Sequence, residues 1–132
     1  MVAALWAGSL WTIGFVAAPT LFRMLERRQA GDVAGQLFMI EAWIGVACAV
    51  ALVATRDRAQ ESQRAVIALV LAMLACIVIG YFGLQPIMSS LRAQPPGADA
   101  AWWQSFGLWH AVSTAFYAVE SVLALVLVAR LR

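Results

Sequence analysis

The chain has no lysine, no asparagine, a single histidine and two cysteines, and only 12% of its 132 residues are charged. Each shortage removes a class of function. The net charge is +2, and the nine basic residues, all arginine, are scattered over several connections. No basic patch is present to neutralise phosphates, so nucleic acid is set aside as a partner. Cys48 and Cys76 stand alone inside apolar runs, without C-x-x-C spacing or neighbouring ligands, and read as buried free thiols. No H-E-x-x-H motif and no phosphate-cradling glycine loop appears. Arginine used throughout in place of lysine points, by composition alone, to a GC-rich bacterial genome.

What the chain does have is apolar length. Apolar residues make up 64% of it and the mean hydropathy is +0.83, far outside the range of soluble domains. A hydrocarbon core about 30 Å thick takes roughly 20 residues of helix to cross, and four runs reach that length. They cover residues 2–22, 33–54, 65–88 and 105–129, separated by RMLERRQAGD, TRDRAQESQR and SSLRAQPPGADAAWWQ. Pro95, Pro96 and Gly97 forbid continued helix in the last connection. The first run begins at residue 2 with no positively charged segment before it and no cleavage site after it, so it reads as a retained span and not a signal peptide.

In lipid only helices or closed barrels satisfy every backbone group, and these runs lack the alternation of barrel strands. The expected fold is therefore all-α: a polytopic membrane protein, one membrane domain over residues 1–132, built as an antiparallel bundle of four transmembrane helices with both termini on one side. That side, with the second connection, carries Arg56, Arg58, Arg64, Arg130 and Arg132, against Arg23, Arg27, Arg28 and Arg92 opposite. Five against four barely favours cytoplasmic termini, in a bacterial cytoplasmic (inner) membrane. Trp102 and Trp103 stand where an interfacial aromatic belt would anchor span four.

Membrane helices pack where small residues let backbones approach. In span two Gly31, Gly35, Ala42, Gly45 and Ala49 fall within about 40° of one line, a face read as a close packing surface, inside the bundle or between two copies. Pro19 and Pro86 each remove a backbone hydrogen bond near the end of their spans, and a kink or an early helix end is expected at both.

Span four carries a polar stripe. With His110 as zero, Ser113 lies at about −60°, Thr114 at +40°, Tyr117 at −20°, Glu120 at −80° and Ser121 at +20°. The stripe runs about 16 Å along the helix, more than half the hydrocarbon thickness. A carboxylate near the bilayer centre costs at least ~2.5 kcal/mol, so Glu120 should face the bundle interior, find a partner there or be protonated. Glu41, about 12 Å into span two, lies at the depth of the His110–Thr114 turn and would meet it if spans two and four were neighbours.

These residues admit several roles: interhelical hydrogen bonding, a relay for protons, ions or a small solute, or, through His110, a haem or metal site. A lone histidine supplies a single strong ligand, and no cofactor is expected. Enzyme chemistry is not expected either, because Ser113 one turn from His110 lacks an orienting acid. An accessory subunit of a larger membrane complex, or a homo-oligomer, is the alternative to a transporter or sensor.

Residues 9–38, SLWTIGFVAAPTLFRMLERRQAGDVAGQLF, carry Gly14, the Ala18-Pro19 pair with Phe22, the Ala30-Gly31 pair, Gly35 and Phe38, and span four adds Phe106, His110 and Ser113. In these features the chain resembles a family of small bacterial membrane proteins of unknown function, DUF4149, related to the animal protein called transmembrane protein 205. Family members usually carry a few more residues before span one. The resemblance implies a four-helix membrane fold and supplies no reaction. A more distant similarity, to copper-resistance membrane proteins, lacks most of the histidines and methionines that copper would need.

Overall fold

A computed structural model describes residues 1–55, 61–93 and 100–131 of the chain; the side chains of residues 61–62, 92 and 100–106 are outside that description. The expectations placed on Pro95, Pro96, Gly97, Trp102 and Trp103, and the motif residue Phe106, therefore fall outside the described residues or side chains.

All the regular structure described is helical: α1 (Val2–Trp11), a π-helical turn (Thr12–Ala17), α2 (Ala18–Met24), α3 (Arg27–Ala54), α4 (Glu61–Ile77), a second π-helical turn (Val78–Gly83), α5 (Leu84–Ala93) and α6 (Ala100–Arg130). Each π turn joins its flanking helices into one rod, so four rods result. All four are long and apolar enough to cross a membrane: Val2–Met24, Arg27–Ala54, Gln63–Leu91 and Gly107–Arg130. The chain is an integral membrane protein with an all-α fold. Between 22% and 33% of each apolar window is buried, which leaves most of each rod's surface for acyl chains. Leu5, Val16, Trp43, Val50, Leu71 and Val122 are among the large apolar side chains that face outward.

The first connection is much shorter than the polar run implied. Arg27–Asp32 is helical, and only Leu25 and Glu26 are extended, at φ/ψ of −119°/158° and −61°/148°. Arginine, glutamine and alanine are good helix formers, and charge at a rod's end lies in the headgroup region, where it costs little. Hydropathy marks where a helix meets hydrocarbon, not where the helix begins.

Neither proline ends its helix early. Upstream of each, the backbone opens into i→i−5 bonding: the Ala18 N–H reaches the Ile13 carbonyl, and the Leu84 N–H reaches the Ile79 carbonyl. Pro19 is then the second residue of α2, where a missing N–H costs little, and Pro86 the third of α5. Such π turns are a recognised way to bend a helix and re-aim its next segment.

Around the bundle α1 packs against α3 and α6, and α4 packs against α3 and α6. Spans two and four sit diagonally, with no Cα of α3 within 8 Å of a Cα of α6 among the described residues. Contact between Glu41 and the His110–Thr114 turn required these spans to be neighbours, so that expectation is corrected. The starts of α1 and α4 and the ends of α3 and α6 share one tightly packed half, whose core includes Trp6, Leu10, Leu52, Val70, Met73 and Leu127.

Beyond the π turns the bundle forks. α2 packs on α3 but has no Cα within 8 Å of α6, and α5 packs on α6 but has none within 8 Å of α3, among the described residues. The packed half thus opens into two hairpin arms.

Ala42, Gly45 and Ala49 of the small-residue face of span two pack inside the bundle. Ala42 and Ala49 are buried, and Gly45 lies under the Trp6 indole and the Ile77 side chain. Gly31 and Gly35, further along the same line, are half-exposed. A methyl group on Gly45 would lie 2.6 Å from Ile77 Cδ1 and 2.9 Å from Trp6 Nε1, whereas one on Gly8 would meet nothing within 4 Å. Gly45→Ala should therefore lose about 1–3 kcal/mol of stability. Gly8→Ala should be neutral or gain up to about 1 kcal/mol. Denaturant or thermal unfolding of both variants in detergent checks the contrast.

Candidate functional site

The site forms at the crotch of the fork, where α6 passes the first π turn. Tyr117 is the hinge pin. Its hydroxyl donates to the Leu10 carbonyl at 2.6 Å, across 107 residues of sequence, and its ring lies on Gly14. Any Cβ at Gly14 would run into that ring. Phe38 of α3 meets the same ring edge to face, with centroids 5.2 Å apart. Tyr117 thus spans the diagonal that separates spans two and four.

Just inside the packed half lie two carboxyls. Glu41 is 2% exposed and Glu120 is 3% exposed. They lie within electrostatic reach of each other and of Tyr117. The Trp6 indole is fully buried, with its Nε1 2.9 Å from where a Cβ on Gly45 would lie. Trp6 Nε1, Glu41 Oε1 and Glu120 Oε1 are buried polar atoms without a hydrogen-bond partner. A buried polar group left unpaired costs about 1–3 kcal/mol, and a charged one more. Three gathered in one place mark a centre that stability alone does not explain.

The other stripe residues behave differently from one another. Ser121 is buried, but its hydroxyl donates to the Tyr117 carbonyl at 2.8 Å, one turn back along its own helix. The Trp11 indole N–H caps this turn by donating to the Ser121 carbonyl at 3.3 Å. Thr114 likewise back-bonds to the His110 carbonyl at 2.8 Å. These hydroxyls serve α6 itself and are not glue between helices.

His110 and Thr114 are exposed, against the expectation that the whole stripe faces inward; Ser113 is half-buried. Two physical reasons account for this. The buried face of α6, set by Glu120, Ala124 and Leu127, is centred about 70° to the Ser113 side of His110, which leaves Thr114 beyond its flank. In addition, His110 lies in the forked half, where span one no longer covers α6.

The motif residues of spans one and two converge on the same place. Gly14 and Phe38 hold the Tyr117 ring, and Pro19 follows the π turn that opens beside it. Gly35 lets the Gln85 side chain approach from the other arm, its Cβ position being 3.6 Å from Gln85 Nε2. Gly31 is half-buried, and Phe22 is exposed on the outer surface, where it serves no visible role at the site.

A family model, described as a domain of unknown function (DUF4149), matches residues 1–96. The chain belongs to the DUF4149 family. The match takes in Trp6, Gly14, Phe38 and Glu41 and stops before Tyr117 and Glu120, so half of the carboxyl centre lies in the matched region and half beyond it. Neither a curated protein nor a solved structure matches the chain. Among the described residues no three of His, Cys, Asp and Glu gather as a metal-holding group.

Of this DUF4149 protein's central residues, Trp6 was not singled out by its sequence. Only the spacing of Ala3, Trp6 and Leu10, one helical face, signals that Trp6 turns inward. Tyr117→Phe keeps the ring on Gly14 and removes the bond to Leu10. It should cost about 0.6–1.7 kcal/mol, the range measured for hydrogen bonds between membrane helices. Gly14→Ala should cost more, about 1–3 kcal/mol, and lose that penalty in a Tyr117→Ala background. A double-mutant cycle in detergent measures both.

Proposed function

We propose that this protein is a non-enzymatic carrier or sensor of a small ion in the bacterial cytoplasmic membrane, with both termini cytoplasmic, and that Glu41 and Glu120 bind the ion. The observation that carries this reading is the pair of carboxyls, 2% and 3% exposed, with unpartnered oxygens in the middle of an apolar bundle. Buried ionisable groups in a membrane are expensive, and in lipid-spanning bundles they are the usual chemistry of proton and ion relays.

The fork supplies the route. On the forked side half-buried Ser113 and exposed His110 continue the line of Tyr117 and Glu120 along α6. On the other side the Leu10, Val70, Met73 and Leu127 core closes the bundle. The proposed approach to the carboxyls is from the forked end, past the Tyr117 pin. Movement of an ion across the membrane then requires the packed half to loosen while the arms close, and the two π turns are the places where the backbone can accommodate it. A sensor needs only the first half of that cycle.

The accessory-subunit alternative draws its docking face from the small residues of span two, of which Ala42, Gly45 and Ala49 already pack inside the bundle. The carrier reading is tested by flux. Purified protein in liposomes, driven by a potassium diffusion potential with an internal pH-sensitive dye, should show ion-coupled pH change. Glu41→Gln and Glu120→Gln should each reduce it by about tenfold or more, equivalent to about 1.4 kcal/mol or more on the barrier. His110→Ala, on the route but outside the buried pair, should reduce flux less than either glutamine variant. Equal flux in wild type and both glutamine variants overturns the transport reading.

A further inference from the structure

A polar side chain inside a membrane bundle finds a partner in the protein or faces water, because acyl chains offer no hydrogen bond. Thr114, Tyr117 and Ser121 of α6 each find one on the backbone. Two polar side chains on the forked side of the Tyr117 pin do not. The Ser113 hydroxyl and the Gln85 amide are half-buried and make no hydrogen bond among the described residues.

These two groups sit at one level and face one space. Phe116 of α6 lies against Gly80 of the second π turn, its Cβ 3.3 Å from where a Cβ on that glycine would be. Counted from this pair at 1.5 Å per residue, Ser113 lies about 4.5 Å and Gln85 about 7.5 Å nearer the arm tips, so their depths differ by about 3 Å. Gly35 stands near the same level, three residues to the tip side of Phe38, which meets the Tyr117 ring. On α6, Ser113 falls within about 20° of the line of buried Glu120. From α5 the Gln85 side chain crosses to α3: its Nε2 is 3.6 Å from the Cβ position of Gly35, although no Cα atoms of these two helices come within 8 Å among the described residues. A glycine there makes room for the amide and offers it no side-chain partner.

We infer that the gap between the arms is a water-filled vestibule, with Gln85 and Ser113 as its inner rim and the Tyr117 ring as its floor. This step rests on the reading of the forked side as the route to Glu41 and Glu120; it names the solvent of that route and a lining residue, Gln85, from the opposite arm. Acyl chains in the gap would leave the amide and the hydroxyl unpaired, whereas water satisfies both. Each of the two groups offers a donor and an acceptor, so the rim takes over part of the hydration of an ion of either sign as it reaches the pin.

The test is thiol accessibility of the full chain in nanodiscs, where a charged, water-soluble methanethiosulfonate reaches both faces of the bilayer. The background carries Cys48→Ala and Cys76→Ala. Gly35→Cys, Gln85→Cys and Ser113→Cys should each react about tenfold or more faster than Ile87→Cys and Leu108→Cys. Ile87 and Leu108 are exposed, turned about 160° from Gln85 and about 140° from Ser113, and lie nearer the arm tips, so depth alone predicts the opposite order. Gln85→Leu should slow modification of Ser113→Cys by about tenfold.

Reaction at Ile87→Cys and Leu108→Cys as fast as at the three fork positions overturns the vestibule. An unchanged rate for Ser113→Cys beside Gln85→Leu overturns the place of Gln85 in the rim. The unsubstituted protein gives a second measurement that does not depend on a variant folding: water-edited solid-state NMR should transfer magnetisation to Gly35 ahead of Gly45 in the packed half, and equal transfer to both also overturns the vestibule. Fast reaction in the fork without ion flux in wild type supports the vestibule and overturns the carrier reading, so the two fail separately.

Discussion

The structure depends on one constraint: within hydrocarbon, a helix can give up a backbone hydrogen bond only where something else in the protein takes its place. Spans one and three each carry a proline, and each answers it with a π turn that shifts the bonding pattern before the proline arrives. The turns let α2 and α5 leave the partners that α1 and α4 hold. At the first turn the Leu10 carbonyl receives the Tyr117 hydroxyl from the opposite hairpin. That bond ties the arms together where they part.

The carboxyl centre is a product of this geometry. A bundle packed uniformly along its length would seal Glu41 and Glu120 in apolar surroundings from both ends. A bundle open along its length would let water reach them and leave them unremarkable. The fork places them at the boundary, 2% and 3% exposed, with Glu120 one turn from half-buried Tyr117. Trp6 can lie over Gly45 only because that residue has no Cβ, and this close approach sets its N–H against α3 one turn from Glu41. Packing of small residues and placement of polar ones are here the same structural fact.

Much of the fold was legible from hydropathy: four apolar runs gave four rods, and the small residues of span two did mark a packing face. The rod ends were less legible, because Arg27–Asp32 is polar by composition and helical by propensity. The prolines were correctly read as breaks in bonding, but the remedy was not, since a π turn is selected by what neighbouring helices supply. Within the site, Tyr117, Glu120 and Glu41 stood out because they are polar residues in lipid-length runs. His110 stood out for the same reason and proved exposed, because angular position on a helix says nothing about whether a neighbour continues alongside it. Trp6 stayed hidden, since tryptophan in a membrane span is ordinarily a belt or packing residue.

By itself the sequence determined that the chain is helical and membrane-spanning, how many rods it forms, and that its intramembrane glutamates would be costly against lipid. Apolar length and the cost of a charge in hydrocarbon are local quantities, readable from one helix at a time. Only the tertiary structure decided that spans two and four lie on a diagonal, that the bundle forks at its π turns, and that the Trp6 indole packs on Gly45. Those facts depend on which helices touch, which is set by close fits such as Tyr117 on Gly14 and Trp6 on Gly45, between residues far apart in the chain.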